Sequence, residues 1–245
     1  MKKEKKILLI IPAYNEEKNI QKVYRSIVNY NKKNKSHYDL IVINDGSTDQ
    51  TKEILDKEKI PHIHLVHNLG IGGAVQTGYK YALENDYDVA IQFDGDGQHD
   101  VQYVKDLIQP IIDGQADLVI GSRFLDKNSS KFKSTKIRRA GIRWISFLIK
   151  VFTGRKITDT TSGFRAANRE IISCFAFDYP SDSPEPSSFV SIAKKGYRTM
   201  EVPVSMNERE GGVSSVTSHF WKPIYYMVNV SLSIIITCLK NRRDH

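Results

Sequence analysis

The sequence predicts an α/β fold built on a mostly parallel sheet with covering helices. Three observations carry that expectation. Apolar runs of strand length recur at residues 7–11, 40–43, 63–66, 89–92 and 117–120. Segments with apolar residues at helical spacing lie between them. The runs end in turns rich in Gly, Asn, Asp or Ser, so strand, turn and helix repeat in one order. At 245 residues the chain is long enough to bury a full core, in one domain or two.

Residues 7–11 are apolar without alternation, as a strand buried on both faces requires. Pro12 to Glu16 makes the following turn, with Asn15 expected as a helix N-cap ahead of Ile20, Val23, Ile27 and Val28. The second strand, 40–43, runs into Asn44-Asp45-Gly46-Ser47-Thr48-Asp49, a turn able to cap the helix holding Ile54 and Leu55. The third, 63–66, passes through 68–73 into a helix at 74–83. Its glycines do not match the dinucleotide fingerprint, and there is no P-loop.

The fourth run carries the densest chemistry. Residues 89–93 open into Asp94-Gly95-Asp96-Gly97-Gln98-His99-Asp100. Alternation along an extended chain lets Asp94 and Asp96 face one way, and two carboxylates that close repel unless a cation sits between them. Hard oxygen donors suit Mg2+ or Mn2+, ions that keep water and share their sites with substrate phosphates. An ordinary Asp-Gly turn is the competing reading. An EF-hand fails, because His99 stands where its Gly belongs and Lys105 where its Glu belongs. A helix near 104–112 and a strand at 117–120 ending in Gly121-Ser122-Arg123 complete this half. Ligands of open parallel sheets gather at the carboxyl ends of strands, where each of these polar turns falls.

The second half changes character. Residues 127–136 read as a basic loop. Residues 137–152 set Arg138, Arg139, Arg143 and Lys150 among large apolar side chains. That pattern fits a core helix with a solvated face, or a helix lying on an anionic membrane. A polar turn at 158–169 carries Asp159 and Arg165, and a Pro/Ser loop at 181–188 holds Glu185 ahead of a helix at 189–195. A strand at 201–204 precedes a basic glycine loop at 207–215 centred on Arg209. Residues 223–239 form an almost uncharged run at the short limit for crossing a bilayer, with Lys240, Arg242 and Arg243 after it; a buried terminal helix is the alternative.

The excess of 36 Lys+Arg over 28 Asp+Glu gives +8 and favours polyanions. Nucleic acid accounts for the charge but not for the acidic cluster, so anionic lipid and phosphorylated substrates are the expected partners. Cys174 and Cys238 make no disulfide framework. The apolar run after the basic start is too short for a signal peptide and ends at Pro12, so a cytosolic chain is expected.

Taken together, PAYNE at 12–16, NDGSTD at 44–49, DGDGQ at 94–98, GSRF at 121–124 and SGFR at 162–165 resemble glycosyltransferase family 2. PEP at 184–186, KKGYRTMEVPV at 194–204 and REGGVSS at 209–215 resemble its polyprenyl-phosphate group, that of dolichol-phosphate mannose synthase and bacterial undecaprenyl-phosphate N-acetylglucosaminyltransferases. The resemblance implies a GT-A (nucleotide-diphospho-sugar transferase) fold, with helices on both faces of the sheet. It implies a catalytic domain over 1–215, an interfacial helix at 137–152 within it, and a membrane-associating helix with a basic tail over 216–245. The implied reaction is an inverting, metal-dependent sugar transfer serving cell-envelope polysaccharide at the cytoplasmic membrane face. The donor would be UDP-N-acetylglucosamine or another UDP or GDP hexose, and the acceptor a polyprenyl phosphate such as undecaprenyl phosphate.

By the same resemblance, Pro12, Tyr14 and Glu16 line the base and ribose, and Asp45 hydrogen-bonds one of them. Asp94, Asp96 and Gln98 hold Mg2+ or Mn2+ on the diphosphate. Arg123, Arg165 and Arg209 dock the acceptor phosphate. Four positions depart from the family pattern: Asn44 for an Asp, Gly95 and Gly97 for Ala or Leu, and Ser187 for a second acid beside Glu185. A lipid phosphate, with a second pKa of about 6, needs no general base; a saccharide hydroxyl acceptor would need one, Asp159 or Glu185. A non-catalytic membrane-surface subunit is the remaining alternative. The short terminal run leaves room for a small membrane-protein partner or a second copy of the chain.

Overall fold

The structure is a computed structural model that describes residues 5–125, 136–180, 184–206 and 222–239. Its strands are β1 (Ile7–Ala13), β2 (Tyr38–Asn44), β3 (His62–His64), β4 (Val89–Gln92), β5 (Leu118–Ser122), β6 (Arg165–Asn168) and β7 (Thr199–Pro203). They form one sheet in the order β3-β2-β1-β4-β6-β5-β7. β6 runs antiparallel to β4 and β5, and the other pairs are parallel. The antiparallel strand has a consequence for the site. Its first residue, Arg165, pairs with Gln92 and Ile120 near the carboxyl ends of their strands.

Alternating side chains feed a core on each face of the sheet. Leu8, Ile10, Ile41 and Ile43 point one way, into a cluster shared with helices α3 (Gly70–Glu84), α6 (Arg169–Phe177), α7 (Pro184–Lys194) and α8 (Lys222–Leu239). Leu9, Ile11 and Val42 point the other way, toward α1 (Ile20–Asn34) and α4 (Val104–Ile112). The remaining helices are α2 (Thr51–Lys57) and α5 (Lys136–Thr153). Helices thus cover both faces, as the sequence predicts. α3 crosses β1 so closely that a methyl group at Gly78 would run into Ile10 Cγ2. Gly78→Ala is therefore expected to lower stability by about 1–3 kcal/mol through overpacking, despite the roughly 1 kcal/mol that Ala favours in a helix interior. Thermal unfolding reads this directly; an unchanged midpoint would show that the crossing can relax.

Several expectations are corrected. Asn15 is not an N-cap: it holds a left-handed φ of 56°, and α1 starts at Ile20 behind Asn19. The turn expected at 158–169 contains β6, and the loop expected at 181–188 already contains the start of α7. Pro184 and Pro186 sit in that helix's first turn, where their missing N–H groups have no intrahelical partner to lose.

The terminal run folds back rather than spanning. Val230 and Ile234 of α8 are fully buried in the core, and among the described residues no helix is long and apolar enough to cross a membrane. The basic loop at 127–136 lies outside the described residues apart from Lys136, and Arg209 with the basic tail lies wholly outside them.

Candidate active site

Two turns at the carboxyl edge are stitched to one another. Asn15 Oδ1 accepts from the Thr48 amide at 2.8 Å, and Ser47 Oγ accepts from the Asn15 amide at 3.0 Å. The Glu16 amide donates to Thr51 Oγ1 at 2.9 Å, and Glu16 Oε2 takes Asn19 Nδ2 at 2.8 Å. The left-handed Asn15 turns the chain so that Tyr14 stands out from the mouth, half exposed, above buried Pro12. Asp45 is buried beside them: its amide donates to the Ala13 carbonyl and its Oδ1 takes the Leu69 amide at 2.7 Å. Gly46 holds a positive φ of 66° against the backbone of His67 and Asn68, a place no Cβ fits. Asn44 keeps its Oδ1 on the Ser47 amide, while its buried Nδ2 has no partner among the described residues.

The acidic loop after β4 lies against this mouth. A Cβ at Gly95 would stand 3.0 Å from the Pro12 carbonyl, and one at Gly163 would stand 3.2 Å from Asp94 Oδ1. Asp94, Asp96 and Gln98 are partly exposed, and Asp96 Oδ1 closes a turn with the Gln98 amide. Beneath them is a residue the sequence reading passed over, His99. Its ring is buried, stacked on Phe164 and edge-on to Phe93. Nδ1 accepts the Asp94 amide at 2.9 Å and Nε2 lies 3.4 Å from Asp94 Oδ2. Burial lowers its pKa to about 4, with Arg123 adding to the shift and Asp96 opposing it. The neutral ring with its proton on Nε2 therefore steadies the loop.

Two carboxylates and a side-chain amide form a hard oxygen set that fits Mg2+ or Mn2+ with coordination left for water and phosphate. Among the described residues no group of three or more His, Cys, Asp or Glu side chains is placed to hold a metal ion by itself.

On the other side of the mouth, two of the expected phosphate-docking arginines are already engaged. Arg123 Nε and Nη2 meet the two oxygens of Asp159 at 2.7 Å each, and the Arg123 amide donates to the same carboxylate. Asp159 is 0% exposed and Arg123 6%. Both Asp159 oxygens are thus committed to Arg123, the arrangement of a side chain that orients an arginine. Glu201, which the sequence showed only as part of a strand, fixes this arrangement by accepting from the Thr158 and Asp159 amides.

Arg165 is also 0% exposed. It donates to the Ser162 carbonyl and to Ser188 Oγ at 2.7 Å, and its guanidinium stacks on Phe189 at 4.5 Å. Its guanidinium thus has protein partners both at its donors and on its face. Glu185 is only partly exposed and faces Asp94, Arg165 and Gln92. Burial raises its pKa and Arg165 opposes the rise. Tyr179 OH reaches Gln92 Oε1 at 3.3 Å and completes this polar floor.

Open cations lie one step further out. A cleft of about 670 Å³ runs from Arg123 and Phe124 along α5 to Lys156–Thr158. Arg139, Arg143 and Lys150 line it from one stripe of α5, with Ile142 and Phe147 among them. α5 presents Trp144, Val151 and the cleft-edge Phe147 to solvent, and α8 beside it presents Val228, Leu232, Ile235, Ile236 and Leu239. Trp144 Nε1 reaches Ser231 Oγ across the two helices. The sequence showed these basic and apolar residues but not which stripe faces the mouth.

Comparison with known proteins agrees with this geometry. Residues 8–175 match Glycosyl transferase family 2. The UDP-N-acetylglucosamine–dolichyl-phosphate N-acetylglucosaminyltransferase of Methanococcus voltae is 34% identical, over 82% of this chain and 85% of the relative. The undecaprenyl-phosphate mannosyltransferase of Micrococcus luteus is 29% identical, over 86% of this chain and 88% of the relative. Glucosyl-3-phosphoglycerate synthase from Mycobacterium tuberculosis, solved with Mn2+, UDP-glucose and phosphoglyceric acid, superposes with a TM-score of 0.71 at 17% identity, over 98% of this chain and 82% of that one. That likeness establishes the fold.

Proposed function

The chain belongs to glycosyl transferase family 2, and on that premise we propose that it transfers a sugar from a nucleotide-sugar donor to a polyprenyl phosphate at a membrane surface. The observation that carries this reading is the basic cleft on α5. It opens beside the Arg123 loop and adjoins an exposed apolar face shared by α5 and α8. A phosphate on an isoprenoid tail needs that pairing of cations and apolar surface.

In this reading Tyr14 and Asp45 receive the base and ribose, and Asp94, Asp96 and Gln98 hold a divalent ion on the donor diphosphate. The chemistry such an ion supplies is Lewis-acid neutralisation of the departing nucleoside diphosphate. His99 holds the acidic loop in register from below. Glu185 and Gln92 line the place of the donor sugar and orient it through its hydroxyls. Arg139, Arg143 and Lys150 draw the acceptor phosphate in, and Arg123, fixed by Asp159, forms the inner wall. An ionised phosphate attacks the anomeric carbon without a base, displacing the diphosphate in one step with inversion. UDP-N-acetylglucosamine is the first donor to try, supported by the name of the Methanococcus voltae relative.

Reversing charge in the cleft tests the acceptor half of the proposal. Arg143→Glu with Lys150→Glu is expected to raise KM for a polyprenyl phosphate by about tenfold or more, while UDP binding, read by thermal shift with Mn2+, stays as in the wild type. An unchanged acceptor KM would move the acceptor elsewhere. One observation favours a second reading, a hydroxyl acceptor: Glu185 is a carboxyl of raised pKa facing Asp94. Glu185→Gln separates the two. Near-total loss of transfer with donor binding intact favours the hydroxyl, and a modest fall favours the phosphate.

A further inference from the structure

The inner face of α8 holds more than apolar contacts. Ser233 Oγ lies 2.7 Å from Ser187 Oγ in the seam between α8 and α7. At the other end of the seam, Lys194 Nζ donates to the carbonyls of Thr237 at 3.1 Å and Cys238 at 2.6 Å. Those carbonyls belong to the last turn of α8, where unsatisfied acceptors and the negative end of the helix dipole collect. α8 therefore grips α7 near both of its ends.

The first turn of α7 is also the wall of the candidate active site. Ser187 is buried, and its neighbour Ser188 takes Arg165 Nη1 at 2.7 Å while donating to the Glu185 carbonyl at 2.9 Å. Glu185 lies in the same turn and interacts electrostatically with Arg165 and Asp94. Val230 and Ile234 would hold the two helices together without fixing how α7 is rotated, whereas a hydroxyl–hydroxyl bond is directional. We infer that Ser233 is a positioning residue: through Ser187 it sets the first turn of α7, and with it the placement of Glu185 and of the Ser188 hydroxyl that holds Arg165. The inference rests on the reading of Glu185 and Asp94 as the two sides of the donor-sugar site. It makes α8 a part of the catalytic body rather than a detachable anchor.

Two serines on α8 give the test its control. Ser231 also bonds across to another helix, but to Trp144 on α5, away from α7. Ser233→Ala and Ser231→Ala each remove one interhelical hydrogen bond, and both are to be assayed in the full chain with UDP-N-acetylglucosamine, Mn2+ and farnesyl phosphate, without vesicles. Ser233→Ala is expected to lower kcat by about five- to tenfold, the scale of one hydrogen bond, with KM for farnesyl phosphate unchanged. Ser231→Ala is expected to leave kcat within about twofold of wild type, although both lower the unfolding midpoint alike. Ser233→Thr, which keeps the hydroxyl, is expected to restore kcat. Equal kcat in the two alanine variants, or no rescue by Thr, overturns the inference and leaves the transfer reading standing. A wild-type chain inactive with UDP- and GDP-hexoses alike would sink the transfer reading and this inference with it.

Discussion

Asp94→Asn will abolish sugar transfer, lowering kcat by about a thousandfold or more, while the protein keeps its fold. The substitution preserves shape but removes charge from a side chain whose two oxygens would lie 3.2 and 3.3 Å from a Cβ at Gly163. Neutralising the charge that develops on a leaving group is usually the largest single contribution to catalysis, and losing one such contact alone costs about 10²–10³. Here the lost charge also weakens the hold on a divalent ion. Mn2+ binding, followed by electron paramagnetic resonance, should weaken in Asp94→Asn and in Asp96→Asn. His99 still has the Asp94 amide to accept in either variant, so unfolding midpoints should stay close to wild type. Full activity in Asp94→Asn would remove the acidic loop from the chemistry.

Asp159→Ala carries the largest expected effect on stability. Arg123 would keep its buried position but lose both oxygens that its guanidinium now meets at 2.7 Å. Breaking a buried ion pair by removing one member costs about 3–5 kcal/mol, with Thr161 Oγ1 still 2.9 Å from Arg123 Nη2 to offset part of it, and for a chain of this size the unfolding midpoint falls on the order of 10 °C. The loss should extend to activity, because the Arg123 loop is the inner wall of the basic cleft. Arg123→Met with Asp159→Leu should recover most of the stability and none of the activity. Differential scanning calorimetry on the single and double variants checks the pair; an unchanged midpoint in Asp159→Ala would show the bond to be of little consequence.

Much of the fold was legible because its central strands are buried on both faces. Residues 7–11, 40–43, 89–92 and 117–120 are apolar runs with few other uses, and each falls within or against a strand of the sheet. The acidic loop stood out in the sequence for a different reason: two carboxylates so close at the end of an apolar run repel one another unless something neutralises them.

β6 was not legible. It is Arg-Ala-Ala-Asn, four residues beginning with an arginine whose burial is made possible by Ser162, Ser188 and Phe189, partners that only the folded chain assembles. The pairing of Arg123 with Asp159 was not legible on the same ground, since residue types in a motif do not reveal that two of them neutralise one another. The terminal run looked long enough to approach a bilayer span because hydropathy counts both faces of a helix together. In the structure Val230 and Ile234 face the core, while Val228, Leu232 and Ile236 face outward. His99 stood within the acidic motif itself, and its signal was an aromatic ring that could pack between Phe93 and Phe164.

The most direct measurement is of product formation by the purified chain with radiolabelled UDP-N-acetylglucosamine and, in parallel, other UDP and GDP hexoses, a polyprenyl phosphate, and Mn2+. The account predicts a sugar-lipid phosphodiester formed one-for-one with released nucleoside diphosphate, lost on adding EDTA and restored by excess Mn2+. Label passing to a saccharide hydroxyl instead, or lipid product forming undiminished in EDTA, would contradict it.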